Sequence, residues 1–152
     1  MKKMLTLFLM CFSVFAASLV HAALSPVGYW TTIDDVTGKP QSIMHIFEKG
    51  NALYGQLVKT YPRQGRDENE VCSACKGARH NQRILGMVIM ENLRQSKNNP
   101  AEWSGGTILD PMSGKTYKCF ITVINNGRNL NVRGYIGFSL FGRTQTWVRA
   151  QG

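Results

Sequence analysis

The sequence predicts an all-β fold: a single antiparallel up-and-down β-barrel of about eight strands, with a two-sheet sandwich as the alternative. Three observations carry this. From Ser25 onward, short segments alternate apolar and polar residues, the period of a half-buried strand. Gly, Pro, Asn and Asp punctuate these segments about every eight to twelve residues, too closely for helices between parallel strands. Finally, Gly28-Tyr29-Trp30 opens the pattern and Trp147-Val148-Arg149 ends it. Those positions become neighbours when the first and last strands of a barrel close.

The first strand spans residues 27–34 and stops at the turn Asp35-Val36-Thr37-Gly38-Lys39-Pro40. In that turn Asp34 and Asp35 have the ordinary role of capping backbone groups. Residues 42–48 and 52–60 form a hairpin around Lys49-Gly50-Asn51, a turn sequence that suits a short connection. Residues 83–93 make a more continuous apolar run that fits a strand or a short helix; its β-branched content and Gly86 favour a strand. Residues 102–110, 115–124, 129–137 and 143–150 complete the count, with Asn126-Gly127 as a hairpin signal between the sixth and seventh. In the sixth, Tyr117, Cys119, Ile121 and Val123 share one face, and Lys118, Phe120, Thr122 and Ile124 the other. Gly105-Gly106 and Gly134…Gly137 read as bends that curve strands. The turns Asp35…Lys39 and Asp110…Lys115 give a faint internal echo, which convergent turn chemistry explains equally well.

Residues 1–22 read as a cleaved export signal. Met1-Lys2-Lys3 is followed by an apolar run over 4–20 and small residues at Val20-His21-Ala22. The rival is a membrane anchor, but a run of about 17 residues is at the lower limit for a span, and no cationic cluster follows. Cleavage after Ala22 leaves 23–152 as one domain, periplasmic or secreted, and removes two lysines from a formal charge of +9. The remaining charge favours an anionic envelope surface. The basic residues are scattered, with no arm of the kind that binds nucleic acid.

No catalytic constellation emerges, no cofactor is implied, and the expectation is a protein that is not an enzyme. His45 alternates with Ile43 and Phe47 on one strand face, which suits a packed histidine better than a general base. The polar stretch 61–82 is long for a connection in a small domain and holds Cys72-Ser73-Ala74-Cys75. A structural disulfide between Cys72 and Cys75 is favoured by an oxidising compartment. A zinc site using Cys72, Cys75 and His80 needs a fourth ligand from elsewhere. A thioredoxin-like centre lacks its βαβ context. Cys119 reads as a small buried apolar residue. The apolar connection with Tyr135, Ile136, Phe138, Leu140 and Phe141 is either packed over a barrel end or a lip around a ligand entrance or membrane contact.

In a closed barrel, Trp30 near the start and Arg149 near the end can stack, guanidinium over indole. With Gly28 and Trp147 they resemble the signature of the calycin barrels (lipocalins, fatty-acid-binding proteins, avidins). That resemblance implies a structural closure by these residues and a small, mostly apolar ligand. A closer one spans nearly the whole chain after the signal. Ser25-Pro26-Val27-Gly28-Tyr29-Trp30, Leu53-Tyr54-Gly55, Val71-Cys72-Ser73-Ala74-Cys75, Trp103-Ser104-Gly105-Gly106, Ile108-Leu109-Asp110-Pro111 and Gly142-Arg143-Thr144-Gln145-Thr146-Trp147 recur in order. The set resembles the bacterial family called domain of unknown function 2147, which implies an exported protein and carries no activity. Three roles follow as expectations: a barrel binding a small apolar or amphipathic, lipid-like ligand; a side-chain-filled barrel acting through its surface; and a metal- or thiol-dependent factor using the cysteine loop.

Overall fold

The computed structural model describes residues 25–62, 67 and 69–150, so the export signal expected over 1–22 lies outside the described residues. Eight strands follow in order: β1 (Gly28–Ile33), β2 (Pro40–Lys49), β3 (Ala52–Thr60), β4 (Val88–Gln95), β5 (Glu102–Asp110), β6 (Lys115–Ile124), β7 (Asn129–Tyr135) and β8 (Gly142–Arg149). Each pairs antiparallel with the next, and β1 pairs with β8 to close the barrel. The predicted all-β barrel is the observed fold, because period-two patterning and turn chemistry are local signals that agree along the chain.

Three predicted strands coincide with β3, β5 and β6 at both ends. The fourth is displaced: residues 83–93 were expected, but β4 begins at Val88. Ile84, Leu85 and Gly86 instead form a turn, in which Met87 N donates to Ile84 O at 3.0 Å and Gly86 N donates to Leu57 O at 2.7 Å. Ile84 and Met87 are nonetheless buried in the core. Their hydrophobicity serves a packed connection, and an apolar run alone does not separate the two. The link from β3 to β4 is therefore longer than 61–82. It contains a 3-10 turn at Gly77–Arg79 and a bridge between Val71 and Arg83.

An up-and-down barrel sorts its connections to two ends. At one end lie Ser25, the tight turns after β2, β4 and β6, and the end of β8. At the other lie the turns after β1, β5 and β7 and the long β3–β4 connection. The first half of the interior is filled: Trp30, Ile46, Leu53, Leu93, Ile121 and Leu130 are buried there. Cys119, Ile121 and Val123 of β6 point inward as the alternation predicted, and the intervening residues are more exposed.

Candidate functional site

The closed end is organised by Trp30 and Arg149, which are directly paired across the β1–β8 seam. The guanidinium carbon sits 4.1 Å from the Trp30 ring centre, an attraction of about 1–2 kcal/mol when desolvated. Arg149 also donates from Nε to Gly127 O at 2.6 Å, from Nη1 to Val27 O at 3.2 Å and from Nη2 to Ser25 O at 2.7 Å. Trp30 Nε1 donates to Pro26 O at 2.7 Å. One side chain thereby satisfies carbonyls of the first segment and of the β6–β7 turn, tying the two chain ends across the barrel floor. Gly28, at φ 127°, lies under the guanidinium, where an added Cβ would stand 3.2 Å from Nη1. Burial pulls the Arg149 pKa below its ordinary value.

Trp147 belongs to a different place. It is buried, pairs with Leu130, and lines a cavity in the other half of the barrel. Its Nε1 donates to Gln145 Oε1 at 3.3 Å. That cavity has a volume of about 790 Å³ and opens at the end carrying the β1–β2, β5–β6 and β7–β8 turns. Its existence follows from which side chains face inward. On β1, Trp30 gives way to Thr32; on β2, Ile46 and Met44 give way to Ser42. On β7, Leu130 and Val132 give way to Gly134, and on β8, Trp147 gives way to Gln145. Thr32, Ser42, Gly134 and Gln145 all line the cavity. Bulky apolar residues thus yield to small or polar ones along four strands, and the space they leave is not refilled.

The deeper wall is apolar, with Met44, Ile89, Val132 and Trp147. Polar side chains line the rest of the wall and the rim. The Thr32 and Ser42 hydroxyls share a buried hydrogen bond of 2.7 Å. Tyr117 and Tyr135 line the wall nearer the mouth. At the rim, Asp34 Oδ1 accepts from Val36 N at 3.1 Å and Thr37 N at 2.8 Å. Asp110 accepts from Met112 N at 3.0 Å and Ser113 Oγ at 2.6 Å. Both carboxylates hold turns, as the sequence suggested for Asp34. Asp35 does something else: it forms an ion pair with Arg143 and accepts from Gln145 Nε2 at 3.3 Å, linking the β1–β2 turn to β8 at the mouth. Sequence reading missed the Asp35–Arg143 pair, which joins residues more than a hundred positions apart. The inward shift from bulky to small residues is itself a sequence signal, repeated on β1, β2, β7 and β8.

Cys72 and Cys75 are joined as a disulfide. Their sulfurs are therefore not thiolate ligands, and the expected zinc alternative with His80 fails. His80 Nδ1 instead lies 3.0 Å from Cys75 O. The disulfide segment is seated on the β5–β6 turn at the mouth: Cys72 Sγ lies 3.0 Å from Pro111 O. Gly114, at φ 67°, permits the contact, since an added Cβ would stand 2.0 Å from Ala74 O. An ion pair between Arg79 and Glu91 holds the same segment to β4. Beside it, a second cavity of about 380 Å³ shares Gln41, Ser42, Ile89, Asp110 and Pro111 with the first.

Of the residues expected at a ligand entrance, Tyr135, Ile136 and Phe141 line the cavity, while Phe138 and Leu140 point to solvent. Cys119 is buried, and burial pushes its thiol pKa up to about 12, so it is not a nucleophile near neutral pH. His45 stacks on Tyr29, ring centres 4.4 Å apart, on the outer face of the barrel.

The pattern of the bacterial family described as "Uncharacterized protein conserved in bacteria (DUF2147)" matches residues 28–149. No curated protein matches the chain. Among solved structures, the chain is similar to HP1028 of the human pathogen Helicobacter pylori, a protein described as belonging to the lipocalin family. The two share 21% identity, the match covers 84% of each chain, and the TM-score is 0.70.

Proposed function

We propose, for a chain that belongs to the DUF2147 family and folds as a lipocalin-like barrel, that the open half of the barrel binds one small amphipathic ligand, lipid-like in character, in the cell envelope. The observation that carries this reading is the cavity itself: about 790 Å³, open at one end, apolar at depth and polar toward its mouth. A volume of that size falls within the range of small-molecule sites, which combine apolar walls with few oriented polar groups. Eight-stranded barrels either fill with side chains or keep room for one ligand, and this barrel divides the two outcomes between its halves.

An apolar chain would lie against Met44, Ile89, Val132 and Trp147, with its polar end among Tyr117, Tyr135 and Gln145. Binding, rather than reaction, suits this wall. Its carboxylates Asp34 and Asp110 are engaged in turns, and Asp35 is engaged with Arg143. The disulfide and the signal-like leader support an oxidising compartment outside the cytoplasm.

Native mass spectrometry of protein purified from its own host tests the reading, together with titration by a fluorescent fatty-acid analogue. A copurified lipid-like mass, or saturable binding that Val132→Trp abolishes, is expected. Absence of a bound mass together with no saturable binding of the analogue overturns it.

A further inference from the structure

We propose that the open end of the barrel is a docking surface for an anionic lipid bilayer, with the tip of the β7–β8 connection entering the membrane interface. Every short turn at this end presents an exposed apolar side chain. Val36 on the β1–β2 turn is 93% exposed and Met112 on the β5–β6 turn 44% exposed. On the β7–β8 connection, Ile136, Phe138, Leu140 and Phe141 are 63%, 77%, 85% and 74% exposed. Elsewhere on the described surface no large apolar side chain is more than half exposed. Exposed apolar side chains gathered at one end of a domain mark an interaction site.

The tip is built rather than loose. Arg133 donates from Nε to Ser139 O at 2.8 Å, from Nη2 to Leu140 O at 3.2 Å and from Nη1 to Thr144 Oγ1 at 2.9 Å. Phe141 N donates to Phe138 O at 3.0 Å, closing the turn. Arg133 thus occupies the backbone carbonyls, and the side chains of Phe138 and Leu140 are left facing outward. A preorganised tip loses little conformational freedom on insertion, and its carbonyls at Phe138, Ser139, Leu140 and Phe141 enter the interface already hydrogen-bonded.

Charge identifies the occupant. Lys39, Lys76, Lys115 and Lys118 are exposed on the elements around this end. With Lys59 at the end of β3 and Arg133 beneath the tip they make six cations, against the carboxylates of Asp34, Asp67, Glu70 and Asp110 on the described residues of this end, while Asp35 is matched by Arg143. Apolar tips flanked by lysines complement a bilayer with anionic headgroups, where apolar insertion and electrostatic attraction add. The apolar groups come from three separate turns around a cavity mouth, an arrangement that meets a planar surface. Ile136 and Phe141 belong to both the rim and the cavity wall, so the docked protein would hold its mouth against the membrane. The inference concerns the surface alone and stands whether or not the cavity holds a ligand.

Cosedimentation with vesicles tests it. The protein lacking residues 1–22 is expected to bind vesicles of phosphatidylglycerol and phosphatidylethanolamine, and to bind phosphatidylcholine vesicles much more weakly. Replacing both Phe138→Ser and Leu140→Ser should lower the partition coefficient about 100-fold, as loss of two inserted apolar side chains implies. The thermal midpoint should not move. Val58→Ser, an exposed apolar residue on β3, should leave binding unchanged. As a second measurement, Phe138→Trp should give a blue-shifted emission on the anionic vesicles and quenching by brominated lipid. No sedimentation of the unaltered protein with anionic vesicles overturns the proposal. So does full binding by the double variant, or a Phe138→Trp emission that vesicles leave unchanged; binding by a protein partner alone would be read from the first of these.

Discussion

The two ends of this barrel are made from the same eight strands and behave oppositely. At the closed end, bulky inward residues meet tight turns, and Arg149 ties three carbonyls from two segments beneath the Trp30 ring. At the open end, the inward residues shrink to Thr32, Ser42 and Gly134, and the turns carry an ion pair, a disulfide segment and an apolar tip. Packing is thereby concentrated at one end and open space at the other. Loops tolerate functional residues because a rigid scaffold holds them, and here the scaffold's rigid half is distinct from its open half.

The largest expected effect comes from Trp30. Trp30→Ala should cost about 4 kcal/mol in denaturant unfolding, as deletion of a fully buried aromatic does. Trp147→Ala should cost less, because its cavity side already lacks packing partners, and it should alter binding of a fluorescent fatty-acid analogue. Equal losses from the two tryptophans would break the contrast between the ends.

Next come the two arginines. Arg149→Ala should destabilise by about 2 kcal/mol, since it takes the donor from the part-buried Ser25 and Gly127 carbonyls as well as losing the stack. Arg149→Lys should recover only part of this, for an ammonium cannot reproduce the planar fork. Arg143→Ala, which breaks the exposed pair with Asp35, should cost under about 1 kcal/mol. Thermal unfolding of the three variants side by side measures the difference directly.

The disulfide ranks third. It closes a short loop between Cys72 and Cys75, so replacing both by serine should cost about 2 kcal/mol on the chain-entropy estimate. Hydrogen exchange should then rise around the β5–β6 turn against which the segment rests, and remain slow at Trp30 and Leu130. Faster exchange throughout the barrel would mean that the two halves unfold as one unit.

The smallest effect at neutral pH is that of Cys119. Its thiol pKa is raised from 9.0 to about 12 by burial, so the folded state holds the proton more tightly than the unfolded chain. The sign follows: this contribution to stability is complete below about pH 9 and is lost as pH rises toward 12. Cys119→Ala should therefore flatten the decline in stability across that alkaline window. A disulfide-exchange reagent should label Cys119 in the native protein no faster than global unfolding allows.

Much of the fold was legible in the sequence, and the reasons are local. The boundaries of β3, β5 and β6 are set by alternation and by Gly, Asn and Asp at their ends, all readable within a few residues. The displaced start of β4 shows the limit. Ile84 and Met87 are apolar because the connection is packed into the core, and hydrophobicity without a clear period does not say whether the backbone is paired. The cysteine segment was narrowed by compartment chemistry to a disulfide, and Cys72 and Cys75 are joined.

By itself, then, the sequence determined an antiparallel barrel, because period-two patterning and turn residues act over short spans. It also placed Trp30 and Arg149 at opposite chain ends, where barrel closure makes them neighbours. Tertiary structure alone decided that Trp147 faces a cavity while Trp30 faces the floor, that Asp35 meets Arg143 across the seam, and that Gly114 admits the Ala74 carbonyl. A cavity is the difference between the space a closed sheet encloses and the volume its side chains fill. That difference is summed over all eight strands, and no single stretch of sequence contains it.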